Sequence, residues 1–180
     1  MILNSRNNLY DFRFPRSFIP KEVADKYRKY LNKIPGNLMA EPIDFVNYSI
    51  QGINIPGISF DPTTQADNDG TTRYHRGAIP IQNTIERQFT VTMQLLDGFI
   101  NYWIIQDTLL YYYARSTKEP YTQDLTLRIL DAEGASVAFL KFGNPIMNSI
   151  NELSLNMREL VADFSTFEIT FFYNKLELDL

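Results

Sequence analysis

The run TIERQFTVTMQLL at residues 84–96 alternates between apolar and polar for thirteen residues. Ile85, Phe89, Val91, Met93 and Leu95 fall on one parity; Thr84, Glu86, Gln88, Thr90, Thr92 and Gln94 fall on the other, and Arg87 alone interrupts the apolar set. Successive side chains of a strand point to opposite faces, so this pattern predicts a β-strand with one oily side and one hydrated side. At ~3.4 Å per residue such a strand spans about 44 Å, well beyond the common five or six residues. A sheet made from strands of this kind meets water over a wide area, for which a compact enzyme core has little use.

A chain of 180 residues suits one domain with a proper core. Its net charge of −4 lacks the basic surplus of a dedicated nucleic-acid binder. The charge is uneven along the chain. Arg6, Arg13, Arg16, Lys21, Lys26, Arg28, Lys29 and Lys33 dominate the head, whereas Glu152, Glu159, Asp163, Glu168, Glu177 and Asp179 dominate the tail. Head and tail can attract each other within one chain or between copies, or serve only as solvated surface. Cysteine is absent, which removes disulfides, thiolate nucleophiles and zinc–sulfur sites. No signal peptide and no run of eighteen apolar residues is present, so a soluble protein made in the cytoplasm, without stable membrane association, is expected.

The first twenty residues read as an extended arm pinned by Pro15 and Pro20. Val23, Tyr27, Tyr30, Leu31 and Ile34 then recur at helical spacing, with Glu22 and Asp25 early and Lys29 and Lys33 late, as the helix dipole favours. Residues 1–40 are therefore expected to form an arm and an amphipathic helix, and residues 41–180 a β domain. Residues 43–55 read as one or two irregular strands. Residues 61–80 are loop-like, with turn chemistry at Asp67-Asn68-Asp69-Gly70. Residues 99–115 read as a helix. Residues 125–130 and 136–142 form a hairpin around DAEGA. Another segment runs from Asn144-Pro145 to Ile150, and 165–180 is again long and alternating. The sum is a mainly β (α+β) architecture of two packed antiparallel sheets, barrel-like, with one flanking helix.

No catalytic constellation stands out. His75 lies alone in TRYHRG with no marked nucleophile or carboxylate partner. DNDG is similar to a calcium loop, but Gln65 and Arg76 stand where the first and last ligands would be. Carboxylates such as Glu152 and Glu159 have no distinguishing spacing. No cofactor or metal is expected, and the chain reads as a non-enzyme. The aromatic and arginine mixture of the arm, Phe12, Arg13, Phe14, Arg16 and Phe18, suits docking on a neighbouring subunit better than base stacking.

Taken in order, these segments resemble the tube-protein family of contractile phage tails, which includes the Hcp tubes of type VI secretion systems. The resemblance runs through YSIQGINIPGISF (48–60), HRGAIPIQNTIERQFTVTMQLLDG (75–98), FINYWIIQDTLLYY (99–112), DLTLRILDAEGASVAFLKFGNPIMNSINEL (124–153) and STFEITFFYNKLEL (165–178). It implies six copies joined by edge strands into a ring, and rings stacked into a hollow tube that carries DNA in a virion tail. On that footing Thr84, Glu86, Gln88, Thr90, Thr92, Gln94, Thr166, Glu168 and Thr170 would line the bore. Asp67, Asn68, Asp69, Gly70, Arg73, Tyr74, His75 and Arg76 would reach a neighbouring subunit. Partners would be further copies of the chain, with sheath, baseplate or neck proteins. The forty-residue head exceeds the family's compact pattern, so a baseplate initiator or neck ring is the alternative within the class. A small ligand-binding β-barrel is a more distant one.

Overall fold

The computed structural model describes residues 9–33, 39, 41–55, 57, 63–66, 70–75, 87–114, 123–153 and 165–180. Among these, ten strands and three α-helices make a mainly β, α+β architecture. The strands are β1 (Tyr10–Phe12), β2 (Ile50–Asn54), β3 (Thr63–Ala66), β4 (Thr72–His75), β5 (Gln88–Gln94), β6 (Leu125–Leu130), β7 (Ser136–Gly143), β8 (Ile146–Ile150), β9 (Thr166–Phe172) and β10 (Lys175–Asp179). The helices are α1 (Lys21–Leu31), α2 (Pro42–Tyr48) and α3 (Ile100–Ala114). One antiparallel sheet has the order β1-β6-β7-β10 and a second the order β2-β5-β9-β8, while β3 and β4 pair as a separate hairpin. Each four-stranded sheet keeps two edge strands, so neither closes into a barrel.

The core between the layers is aromatic. Phe89 stacks on Phe171 with ring centres 5.1 Å apart, and Phe142 from the first sheet lies 4.3 Å from Phe89. Phe14 stacks on Phe18 at 4.2 Å, and both rings reach Phe171. Here the structure corrects the expected arm: Phe12, Phe14 and Phe18 are buried in this chain's own core, so their faces are not free to dock on a neighbour. β1 also pairs with β6, so the head segment adds a strand to the first sheet. Arg13 and Arg16 remain exposed. The reason is burial: three phenylalanines within seven residues gain far more from a dry core than from a wet surface.

Two further expectations change. Residues 42–48 form a helix rather than a strand, with Pro42 in the first turn, where its missing N–H costs nothing. Asn47 on α2 accepts the Phe14 N–H at 2.8 Å and donates to the Phe14 carbonyl at 3.1 Å, clasping the head segment from both sides. The alternating stretch at 165–180 is two strands in different sheets. Tyr173 N–H donates to the Arg87 carbonyl just before β5, and the next N–H, of Asn174, donates to the Gly143 carbonyl at the end of β7. A Cβ on Gly143 would stand 3.2 Å from Cβ of Lys175, so the close crossing favours glycine. Asp124 braces the same corner by accepting the Asn144 N–H at 3.0 Å, which holds its carboxyl below the usual range.

Helix α3 packs against β8 and β9 of the second sheet. Ile100, Ile104 and Ile105 are buried, and Tyr102 packs edge-on against Phe167. The buried Asn101 donates to the Gln94 carbonyl at 2.6 Å and accepts the Leu96 N–H at 3.2 Å, tying the end of β5 to the start of the helix. α1 lies against α3 through Lys26 and Tyr27, both of which donate to Asp107.

Candidate functional site

The register of the second sheet assembles one continuous polar face. In β5, Phe89, Val91 and Met93 are fully buried, while Gln88, Thr90, Thr92 and Gln94 point the other way and are half-buried. The pairs Thr90–Thr170, Thr92–Glu168 and Gln94–Thr166 set the polar side chains of β5 and β9 opposite one another. Of the residues expected to line a bore, Gln88, Thr90, Thr92, Gln94, Thr166, Glu168 and Thr170 share one face, with Thr90 and Thr92 in the middle of β5; Thr84 and Glu86 lie outside the described residues.

Several members of this face could not be read from the alternation. Asn54 sits opposite Thr90 on the outer strand β2. Between Ile50 and Gly52 the register shifts by one residue, and the extra residue, Gln51, donates from Nε2 to Oε1 of Gln94 at 3.0 Å. On β8 a second shift, between Met147 and Ser149, brings Ser149 opposite Thr170. One end of the face is apolar instead: Phe172, 42% exposed, pairs with Ile146. Among the described residues Glu168 is the one ionisable group on this face. The rest are hydroxyls, amides and the Phe172–Ile146 rim, so the surface holds water without offering cations to a phosphate backbone.

Arg87, the exception in the apolar parity, lies just before β5 and donates from Nη1 to the Asn174 carbonyl at 3.0 Å. It closes the inter-sheet corner rather than entering the core.

The expected loop at 61–80 is a hairpin in its described part, β3 paired with β4 from Thr63–His75 to Ala66–Thr72. Gly70 has φ +81°, the left-handed conformation its place in DNDG anticipates. Gly70, Arg73 and Tyr74 are exposed, Tyr74 to 70%. His75 ends β4; Asp67, Asn68, Asp69 and Arg76 lie outside the described residues. No group of three or more His, Cys, Asp or Glu side chains is placed to hold a metal ion among the described residues. No helix among them is long and apolar enough to cross a membrane.

No protein-family model matches the sequence, and no curated protein matches it. Among solved structures the chain is similar to the tube-terminating cap of the anti-feeding prophage, at 11% identity over 72% of this chain and 79% of that one, with a TM-score of 0.46. It is similar to the sheath/tube terminator of PVC, an extracellular contractile injection system, at 14% identity over 73% and 85% of the two chains and a TM-score of 0.46. A looser likeness is to Hcp1 from Flavobacterium johnsoniae, at 12% identity over 72% and 84% and a TM-score of 0.32.

Proposed function

We propose that this chain is a structural, self-assembling subunit of a tail-tube type, in which copies join into rings and rings stack into a hollow conduit for DNA. The observation that carries this reading is the second sheet itself. One side is sealed by an aromatic core, while the other is a broad hydroxyl and amide surface with, among the described residues, a single carboxylate. Such a wall is wetted, gives DNA phosphates no cation to stick to among its described residues, and lets the polymer slide.

The edges support assembly. β10 carries Leu176 and Leu178 on the side of its sheet that faces the core, opposite Phe142 and Leu140, yet they are 43% and 58% exposed. An uncovered apolar edge strand is a template for another chain. Six copies contributing four strands each at about 4.8 Å would form a wall about 37 Å across between backbones, wide enough for a DNA duplex inside its side chains. In this reading the exposed β3–β4 hairpin reaches a neighbouring copy, tail proteins such as a sheath or baseplate form the further partners, and the assembled protein resides in a virion tail after assembly in the host cytoplasm.

Negative-stain microscopy of the purified protein at high concentration tests this. Rings or hollow tubes are expected; a species that stays monomeric, with or without a nucleating baseplate, refutes it.

A further inference from the structure

Four strands edge the two four-stranded sheets: β1 and β10 in the first, β2 and β8 in the second. Three of them are poor templates for another strand. β1 is three residues long, and the registers of β2 and β8 each shift at an extra residue. Short edges and bulges are common guards against pairing with another chain. β10 has neither. Its five residues keep one unbroken register with β7, from Lys175–Gly143 to Asp179–Phe139, and among the described residues its other side pairs with no strand.

The side-chain order along β10, Lys-Leu-Glu-Leu-Asp, complements itself when reversed. Laid antiparallel about Glu177, it sets Leu176 opposite Leu178 of the second copy and Lys175 opposite that copy's Asp179, and each pair occurs twice. Both leucines lie on the core-facing side and are exposed, so the pairing covers apolar surface that a single chain leaves wet. Lys175 and Asp179 lie on the other side and are also exposed. Asp179 is already in the field of Lys141 on β7; the second copy's Lys175 approaches it from the open side. The same register brings the two Glu177 carboxylates together, which like charge opposes. Each arrives engaged, because Lys175 pairs with it along the strand and Lys141 stands opposite it on β7. These cations hold its carboxyl below the usual range.

We propose that β10 pairs antiparallel with β10 of a second copy about a two-fold axis at Glu177, joining two four-stranded sheets into one continuous sheet. The contact uses the same patch on both copies, so it closes at a dimer and does not propagate. One consequence rests on the tube-type reading, in which the same edge serves assembly: the dimer is then a holding form that withholds β10 from the ring.

The absence of cysteine makes a site-directed disulfide unambiguous. In Glu177→Cys, which also removes the opposed carboxylates, the paired Cα atoms stand about 4.5–5.5 Å apart, within disulfide reach, and mild oxidation should give a covalent dimer. In Asp179→Cys they stand about 14 Å apart at ~3.4 Å per residue and should give little. Sedimentation velocity of the wild-type protein below its assembly concentration should show a monomer–dimer equilibrium. Lys175→Glu should weaken the dimer roughly tenfold, and adding Asp179→Lys should restore most of the loss, with the near-UV circular dichroism unchanged in both. A Glu177→Cys protein that stays monomeric on oxidation, equal crosslinking through Asp179→Cys, or a charge reversal without effect overturns the two-fold pairing and leaves the tube reading standing. A wild-type protein that dimerises but never forms rings overturns the tube reading and supports the pairing. Rings that form as readily from the oxidised Glu177→Cys dimer as from its reduced form overturn the holding role.

Discussion

Phe89 and Thr90 are neighbours in sequence on opposite faces of β5, and substituting each in turn tests the face assignment on which the functional reading depends. Phe89 is fully buried and its ring contacts Phe142, Phe171, Tyr173 and Phe12 at 4.3, 5.1, 6.2 and 6.4 Å. Phe89→Ala removes that ring from the meeting point of both sheets and the head segment, leaving a cavity that four rigid aromatic neighbours cannot easily fill. The expected loss is about 3–5 kcal/mol. For a domain of this length each kcal/mol moves the melting temperature by about 2–4 °C, so a fall of about 6–20 °C is expected in a calorimetric scan. Thr90 stands between Asn54 and Thr170 on the polar face. In Thr90→Lys the long side chain can run along that face and keep its ammonium in water, so the expected change is within about 1 kcal/mol. The folded variant should nonetheless retain DNA in assembled tubes more strongly, because it adds a cation to every copy's wall. If Thr90→Lys destabilises the subunit as much as Phe89→Ala does, the faces are reversed and the proposed bore is wrong.

Two other expectations follow from single side chains. Asn101→Ala strands the Leu96 N–H and the Gln94 carbonyl where β5 meets α3, and chemical denaturation should register a loss of about 1–3 kcal/mol, whereas a change near zero would show that this link is dispensable. Tyr27, Tyr112 and Tyr173 have phenol pKa values raised chiefly by burial, Tyr27 also by its hydrogen bond to Asp107. Because the folded state holds those protons more tightly, their contribution to stability is intact below about pH 10, the unfolded tyrosine value, and is lost as pH rises towards the folded values. An absorbance titration of the eleven tyrosines should show a late group ionising with unfolding, reduced by Tyr27→Phe; a single midpoint near the unfolded value in the folded protein would contradict the burial.

Much of the second sheet was legible because the alternation of β5 and β9 is a local code: a half-wet strand needs apolar residues at every second position. The β6–β7 hairpin was legible for a similar reason. Asp131 accepts the N–H groups of Glu133 and Ala135, and Gly134 takes φ +85°, which is turn chemistry written in DAEGA. The helix at α3 was likewise visible from its spacing. Residues 42–48 misled because Ile, Phe, Val and Tyr are good strand formers and a seven-residue helix is too short to display a period. Its helical state comes from packing against α1 and α3, with Asn47 clasping Phe14.

Residue order alone determined which side of β5 is oily, that no thiol or zinc–sulfur chemistry is available, and that the DAEGA segment turns. It determined these because each depends on side-chain type and the fixed geometry of a few consecutive residues. Tertiary structure decided that Phe12, Phe14 and Phe18 belong to the central core, that the last alternating stretch changes sheets at Tyr173–Asn174, and that Gln51, Asn54 and Ser149 join the polar face. It also exposed an apolar edge at β10. These outcomes depend on which distant segments compete to cover the same surface, and alternation within a strand carries no information about the strand that will lie opposite.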